Sequence, residues 1–229
     1  MNNNEDMKLI WLSHVLTKHT PAYGGGEGMR IEHEKQINCG DSCNTAKLAF
    51  SNHLGSHVDA PRHFIESGIT TESYEPQDWI FIKPLVINLD IRAAEVVTQK
   101  HIESLCSNID DADLVLLKTG FEVHRESNEY WEKAPGYAPE LADFLKQRFK
   151  SFRAIGMDTI SISSYQHREL GHEAHNAFLR NGFRIFEDLA LKDIQVDTVL
   201  SKVIALPLRF EHSDGAPCTI IGWVNDNVD

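Results

Sequence analysis

The hydrophobic residues of this chain fall into short runs that are rich in β-branched side chains and bounded by turn residues. Such runs are typical of buried strands, because a strand covered on both faces shows no alternation of polar and apolar positions. The predicted strands are 85–90, 113–120, 152–159 and 202–210. A further strand-like run, "FRIFEDLAL" at 183–191, is interrupted by Glu187.

Other segments repeat their apolar residues at helical spacing. The predicted helices are 98–106, 138–149 and 173–182. Thr98 can cap the first, and Asn181-Gly182 ends the third. On the second helix, one face carries Leu141, Phe144, Leu145 and Phe149. Strands that alternate with helices predict an α/β fold with a central mixed sheet.

The chain shows neither an internal repeat nor a low-complexity linker, so we expect one domain over residues 1–229. Its 34 acidic and 22 basic residues give a net charge of −12, which disfavours binding to nucleic acid. No stretch of 18 apolar residues could span a membrane, and no secretory signal is evident. The scattered cysteines are typical of a reducing compartment, so we expect a cytoplasmic protein.

Candidate chemistry is concentrated in "SNHLGSHVDAPRHF" at 51–64, which contains His53, His57, Asp59 and His63. In an extended segment His57 and Asp59 point the same way. Two imidazoles and a carboxylate are ligands that zinc or manganese accepts. Asp59-Ala60-Pro61 resembles a helix start with Asp59 as the cap, so His63 should lie close to Asp59 but point elsewhere. The alternative is a solvated loop that happens to be rich in histidine.

A second cluster contains His167, His172, His175 and Glu187. A carboxylate among Ile185, Phe186 and Leu189 is costly to bury unless it is paired, and a cation would remove that cost. Taken alone, this cluster favours a glutamate that faces the edge of a half-exposed strand. The two clusters together favour a metal site formed where distant parts of the chain meet.

The segment "HLGSHVDAPRHF" resembles the H-x-G-T-H-x-D-x-P-x-H signature of a cyclase family of metal-dependent hydrolases, with Ser56 in place of threonine. That family includes the bacterial kynurenine formamidases, or arylformamidases, and the isatin hydrolases. The likeness continues through "LSHVLTKHTPAYGGG", "KTGFE", "GMDTISIS", "HNAFLRNGFRIFEDLAL" and "LPLRFEHSDGAPCTIIG". The interval of twelve residues from His175 to Glu187 is also that of the family.

The resemblance implies a compact α/β fold of the swivelling β/β/α type and assigns roles to particular residues. His53, His57 and Asp59 would hold one divalent metal, and Asp59 would reach a second. His175 would bind that second ion and Glu187 would bridge both. His63 would be the general acid and base, and Tyr23 takes the place of a tryptophan that stacks on the substrate. The metal would be zinc, or alternatively manganese, with one or two ions per subunit of a homodimer or larger homo-oligomer.

The activity implied is hydrolysis of a small aromatic amide, N-formylkynurenine, to kynurenine and formate by a hydroxide generated at the metal. Isatin hydrolysis, or opening or closure of a related cyclic amide or lactone, is an alternative within the family. A module that binds a metal or an effector without turnover is the alternative from another class. The sequence assigns no role to Glu122, His124, His167 or His172.

Overall fold

A computed structural model describes residues 8–196 and 198–225. The strands of the large sheet are β1 (Lys8–Trp11), β4 (His57–Asp59), β5 (Ile80–Phe81), β6 (Pro84–Asn88), β8 (Leu114–Lys118), β10 (Ala154–Met157), β11 (Arg184–Glu187), β12 (Val199–Pro207) and β13 (Gly215–Asn225). Two smaller pairs are formed by β2 (Arg30–Lys35) with β3 (Thr45–Ala49) and by β7 (Val96–Val97) with β9 (Gly136–Tyr137). The α-helices are α1 (Gln99–Cys106), α2 (Glu129–Glu132), α3 (Glu140–Arg148) and α4 (Arg168–Arg180).

The large sheet has nine strands and is mixed, with three parallel and five antiparallel pairings among the described strands. Its order is β5-β12-β13-β4-β11-β10-β8-β6, and β1 pairs with β13. The strands β6, β8, β10 and β11 run parallel to one another, whereas β4 joins β11 to β13 by antiparallel pairing on both sides. The expected α/β fold with a mixed sheet is therefore confirmed.

The predicted elements are present, with shifts at their ends. The runs at 85–90, 113–120 and 152–159 form β6, β8 and β10. The run at 202–210 forms β12, which begins earlier and ends at Pro207, and α4 begins at Arg168 rather than at 173. These differences arise at element ends, where capping and tertiary contacts outweigh local pattern.

The parallel strands are buried because both of their faces are covered. Val115 and Leu117 of β8 face a core formed with α1, α3 and α4. Leu114 and Leu116 face a second core, which they share with residues of β12 and β13. On α3, Leu141, Leu145 and Phe149 are fully buried and Phe144 is partly buried, as the predicted helical face requires. Among the described helices, none is long and apolar enough to cross a membrane.

Helix α4 approaches the loop after β10 so closely that only glycine fits at one contact. A Cβ atom on Gly171 would overlap Oγ and Cβ of Ser163 and would lie 2.8 Å from its Cα atom. The same helix carries His175, whose ring Nδ1–H donates to the Gly171 carbonyl oxygen at 2.9 Å. The contact therefore sets the position of His175 relative to the sheet.

Replacing Gly171 by alanine should destabilise the protein, although alanine is ordinarily favoured over glycine in a helix by about 1 kcal/mol. Overlap with the Ser163 backbone should reverse the sign and cost roughly 1–3 kcal/mol. Urea denaturation measures this change. The matched control is Glu173→Ala at an exposed position of the same helix, expected to stay within about 0.5 kcal/mol of the wild type. A Gly171→Ala variant at least as stable as the wild type would contradict the close contact.

Candidate metal centre

Strand β4 places its two candidate ligands on one side of the sheet. His57 and Asp59 alternate with Val58, which points into the second core. The antiparallel register sets His57 opposite Glu187 on β11. The side chains of His57, Asp59 and Glu187 are all buried, with 1–4% of each residue exposed. The predicted alternatives of a solvated loop and a half-exposed glutamate do not describe these positions.

Helix α4 brings His175 to the same place, at the carboxyl end of the parallel strands where α/β sheets commonly bind ligands. Its Nε2 atom lies 3.5 Å from Asp59 Oδ2 and 3.5 Å from Glu187 Oε1. The Nε2 atom of His57 lies 3.4 Å from Asp59 Oδ1 and 3.4 Å from Glu187 Oε2. The two histidines and two carboxylates thus face one another across a small space formed by segments more than a hundred residues apart.

Hydrogen bonds to the backbone fix the orientation of both rings. His57 Nδ1–H donates to the Gly55 carbonyl oxygen at 2.8 Å, as His175 does to that of Gly171. In a neutral ring the Nε2 lone pair then faces carboxylate oxygens, which is unfavourable unless a cation lies between them. Asp59 Oδ2 is buried and has no hydrogen-bond partner among the described residues. These donors fit a divalent cation in their orientation and in their chemistry.

His53 occupies a more polar position at the edge of this group. Its Nδ1 lies 2.8 Å from Asp59 Oδ1, and its Nε2 lies 3.0 Å from Asp214 Oδ2. Both ring nitrogens therefore contact carboxylates, and His53 would have to exchange the Asp59 contact for a cation to serve as a ligand.

The structure differs from the sequence-based prediction both for Asp59 and for His63. Asp59 is the last residue of β4, and Ala60 is the cap of the short 3₁₀ turn Pro61–His63, so Asp59 is not a helix cap. Nor does His63 point elsewhere: its ring stacks on His53 with 3.9 Å between centroids, and one nitrogen lies within 4.8 Å of ligand atoms of Asp59 and His175. The Asp59 carboxylate contacts the histidines of the cluster instead of capping the turn.

Asp214 was not among the candidate site residues identified from the sequence. Its Oδ2 lies 2.9 Å from His63 Nδ1 and 3.0 Å from His53 Nε2, and its Oδ1 accepts a hydrogen bond from Asn52 Nδ2. The signal available in the sequence was an acid directly before the glycine that begins β13. Because Gly215 pairs with Asp59 in the sheet, that acid is carried to the cluster.

The cluster strongly perturbs its own protonation. Burial lowers the pKa of His53, but hydrogen bonds to Asp214 and Asp59 outweigh burial and raise that pKa to about 10. For His175, burial is likewise outweighed by Asp59 and Glu187, which raise its pKa to about 10. Burial disfavours the charged form of Asp59, yet the surrounding histidines, of which His53 is hydrogen-bonded to Oδ1, hold its pKa well below the usual range. Without a cation, protons on the histidines balance the buried carboxylates.

A cavity of about 260 Å³ opens onto these residues. Its lining includes His57, His175 and Glu187 together with Tyr23, Phe64 and Ile160. Tyr23 lies in a short 3₁₀ turn and is 38% exposed. A larger cavity of about 940 Å³ is lined mainly by apolar residues such as Trp11, Leu48 and Leu208, and none of the predicted site residues line it.

The remaining unassigned histidines lie outside the cluster. His172 is exposed on α4 and packs near Phe64, with 5.3 Å between the ring centroids. The Nε2 of His167 donates to the Ala94 carbonyl oxygen. His124 is half exposed and lies 3.4 Å from Glu129.

Comparison with known proteins found similar sequences and similar structures. A sequence model of the family described as "Putative cyclase" matches residues 10–164. The chain is 31% identical over 176 residues to a kynurenine formamidase of Bacillus cereus, covering 77% of this chain and 78% of the relative. It also resembles the structure of isatin hydrolase A from Labrenzia aggregata, with a TM-score of 0.82, 22% identity, and coverage of 96% of this chain and 94% of the other. A structure of a potential metal-dependent hydrolase with cyclase activity aligns with a TM-score of 0.75 at 23% identity, covering 97% of this chain and all of the other.

Zinc binding to the metal-free protein should release protons. At neutral pH, His175 and His53 carry protons because their pKa values lie near 10, whereas a ligand nitrogen must be deprotonated. Zinc can be titrated calorimetrically in two buffers of equal pH and different ionisation enthalpies. The difference between the two binding heats, divided by the difference between the ionisation enthalpies, should correspond to release of about one proton or more per ion.

The control for this titration is His172→Ala on the exposed side of α4, which should release the same number of protons. Heats that do not depend on the buffer would contradict protonated histidines in the metal-free centre.

Proposed function

Because this chain belongs to the putative cyclase family, whose model matches residues 10–164, we propose that it is a metal-dependent amide hydrolase. Its proposed reaction is hydrolysis of N-formylkynurenine to kynurenine and formate by a single domain. The observation that carries the proposal is the convergence of His57 Nε2 and His175 Nε2 on the buried Asp59 carboxylate, whose Oδ2 atom near His175 has no hydrogen-bond partner among the described residues.

The proposed metal ligands are His53, His57, Asp59, His175 and Glu187. We propose zinc, with manganese as the alternative, because imidazole nitrogen and carboxylate oxygen suit either ion. A divalent cation held there would supply Lewis acidity, which would favour deprotonation of water and stabilise negative charge on a carbonyl oxygen. Ser161 Oγ and the Ile162 backbone N–H both donate to Glu187 Oε1, at 3.0 and 2.7 Å, and hold that carboxylate in place.

His63 is the proposed general acid and base. Its Nδ1–H donates to Asp214, which leaves its Nε2 with a lone pair and with no hydrogen bond to a described residue. That nitrogen can accept the proton of the attacking water and return it to the departing amine nitrogen. Asp214 therefore orients the ring, while Tyr23, Phe64 and Ile160 offer an apolar surface for an aryl group.

The substrate assignment is supported by the kynurenine formamidase relative at 31% identity. Isatin and other cyclic amides or lactones are the alternative substrates, since they need the same attack on a carbonyl carbon. A module that only binds a metal or an effector has no use for an imidazole such as His63, which is oriented by a carboxylate beside the candidate ligands. That feature favours an enzyme.

Substitutions should separate proton transfer, the role proposed for His63, from metal binding, the role proposed for Glu187. His63→Ala should retain zinc but lower kcat by roughly 10²- to 10⁴-fold, because only proton transfer is removed. Glu187→Ala should lose both zinc and turnover. Elemental analysis of each purified variant, together with turnover of N-formylkynurenine and isatin, measures both effects, and chelator treatment of the wild type should abolish activity.

A zinc-depleted His63→Ala variant and a zinc-replete Glu187→Ala variant would show that the roles are wrong. Faster turnover of isatin than of N-formylkynurenine would overturn the substrate and preserve the mechanism. If the zinc-loaded wild type hydrolysed neither compound, the arylformamidase proposal would be wrong.

We further propose a cytoplasmic homodimer. The hairpin of β2 and β3 is exposed along its whole length, and a two-stranded hairpin alone is marginally stable in water. Ile31 and Leu48 are direct cross-strand partners, so they lie on the same face, 43% and 58% exposed. A second copy of the chain would cover this apolar face.

Leu48→Asp should convert the dimer to a monomer, because a carboxylate would then be buried in the apolar contact. Sedimentation velocity measures the mass of each species. The matched control is Lys47→Ser on the opposite face of the same strand, where Lys47 pairs with Glu34 and the dimer should persist. A wild-type monomer at all accessible concentrations would exclude this assembly.

A further inference from the structure

The residue that follows Glu187 has an unusual backbone conformation. Asp188 has a φ of 53°, in the left-handed region that residues with a Cβ atom seldom adopt. It stands where β11 ends, next to a proposed metal ligand. Strained backbone at such a position indicates a functional constraint when the surroundings hold it in place.

Side chains from a different part of the fold hold Asp188. Arg125 binds its carboxylate with two parallel hydrogen bonds, Nε to Oδ1 at 2.8 Å and Nη2 to Oδ2 at 2.7 Å. The Tyr130 hydroxyl donates to Oδ1 at 2.6 Å. Arg125 is 16% exposed at its side chain and Asp188 only 2%, so this ion pair is largely desolvated.

The backbone of Asp188 is equally well anchored. Its N–H donates to the Thr159 carbonyl oxygen at 2.8 Å, and its carbonyl oxygen accepts a hydrogen bond from Ser56 Oγ at 2.5 Å. Ser56 lies directly before His57. Hydrogen bonding at Asp188 therefore connects the start of β4 to the end of β11, the two strands that supply candidate ligands.

The position of Arg125 is itself fixed by the turn that precedes it in the chain. It follows the 3₁₀ turn Phe121–His124, which begins after Gly120, a residue with a φ of 75°. Asp158 accepts hydrogen bonds from the backbone N–H groups of Thr119 and Gly120, at 2.8 and 2.7 Å, and thereby fixes that turn.

From the same turn, Glu122 Oε2 accepts hydrogen bonds from the backbone N–H groups of Leu191 and Lys192. The segment 121–125 therefore binds the chain on both sides of Leu189. Arg125 binds Asp188 before it, and Glu122 binds the backbone of Leu191 and Lys192 after it.

The charge of Asp188 matters as well as its conformation. Asp188 lines the same cavity as His57, His175 and Glu187. A free carboxylate there would compete with Glu187 for a cation. The Arg125 guanidinium occupies both Asp188 oxygens and neutralises them, which leaves Glu187 as the available carboxylate on this segment.

We propose that Arg125 is a positioning residue for the metal centre: its ion pair with Asp188 fixes the left-handed turn after β11 and so holds the Glu187 carboxylate toward His57 and His175. The inference rests on the proposed metal site. It predicts that the Arg125–Asp188 pair sets metal affinity and not merely stability.

The test is the zinc dissociation constant of metal-free protein, measured by competition with a chromophoric chelator at one pH, alongside the melting temperature of the same sample. Arg125→Gln should weaken zinc binding roughly 10- to 100-fold, the usual effect of losing a group that orients a ligand. Arg125→Lys, which can contact only part of the carboxylate, should fall between that variant and the wild type. Should Arg125→Gln fail to fold, Arg125→Lys provides the measurement.

Two further variants separate positioning from general stabilisation. Arg153 is a partly buried arginine that donates to backbone carbonyl groups of Asp78 and Ile80 and lies near Asp113, remote from the candidate ligands. Arg153→Gln should lower the melting temperature and leave the zinc dissociation constant unchanged. The double variant Arg125→Gln/Asp188→Asn should recover part of the lost affinity, because asparagine tolerates the left-handed conformation and leaves no unpaired charge.

Equal zinc affinity of the wild type and the Arg125→Gln variant would overturn this inference while leaving the metal site intact. Absence of zinc binding by the wild type would overturn the metal centre itself, and the inference with it.

Discussion

Two carboxylates, those of Asp59 and Glu187, are buried beside two histidines at the centre of the sheet, and their negative charge must be balanced there. Burying an ionised carboxylate is costly unless it is paired with positive charge or hydrogen-bond donors. In the metal-free protein, protons on the histidines supply that charge, as the raised pKa of His175 indicates. A divalent cation would supply it at a single point and release those protons. The metal centre is therefore a consequence of where the fold places these acids.

That placement depends on β4, a strand of only three residues. Its antiparallel pairing with β11 sets His57 opposite Glu187, and its pairing with β13 brings Gly215 beside Asp59. The parallel half of the sheet contributes Glu187 and the loop that holds it, and the antiparallel half contributes Asp214. The proposed ligands thus come from the segment that contains β4, from α4 and from β11, and the proposed proton carrier, His63, follows β4 in the chain.

The sequence predicted the elements with strong local patterns, including β8, β10 and α3, because burial on both faces of a strand or on one face of a helix leaves a periodic signal. It also identified the histidines and acids of 53–63 and 175–187, through their residue types and the family resemblance. Contacts across the sheet were harder to foresee. Asp214 contacts His63 across 151 residues, and Arg125 contacts Asp188 across 63. The predicted capping role of Asp59 was wrong, because its carboxylate contacts the buried histidines and Ala60 is the cap of the turn Pro61–His63.

The most direct test of this account is the anomalous diffraction of crystals of the protein loaded with zinc. We expect an anomalous peak within roughly 2.0–2.2 Å of an Asp59 oxygen and of at least one of His57 Nε2 and His175 Nε2, the usual range of zinc bonds to nitrogen and oxygen. Zinc bound only to surface residues, with Asp59 and Glu187 unligated, would contradict it.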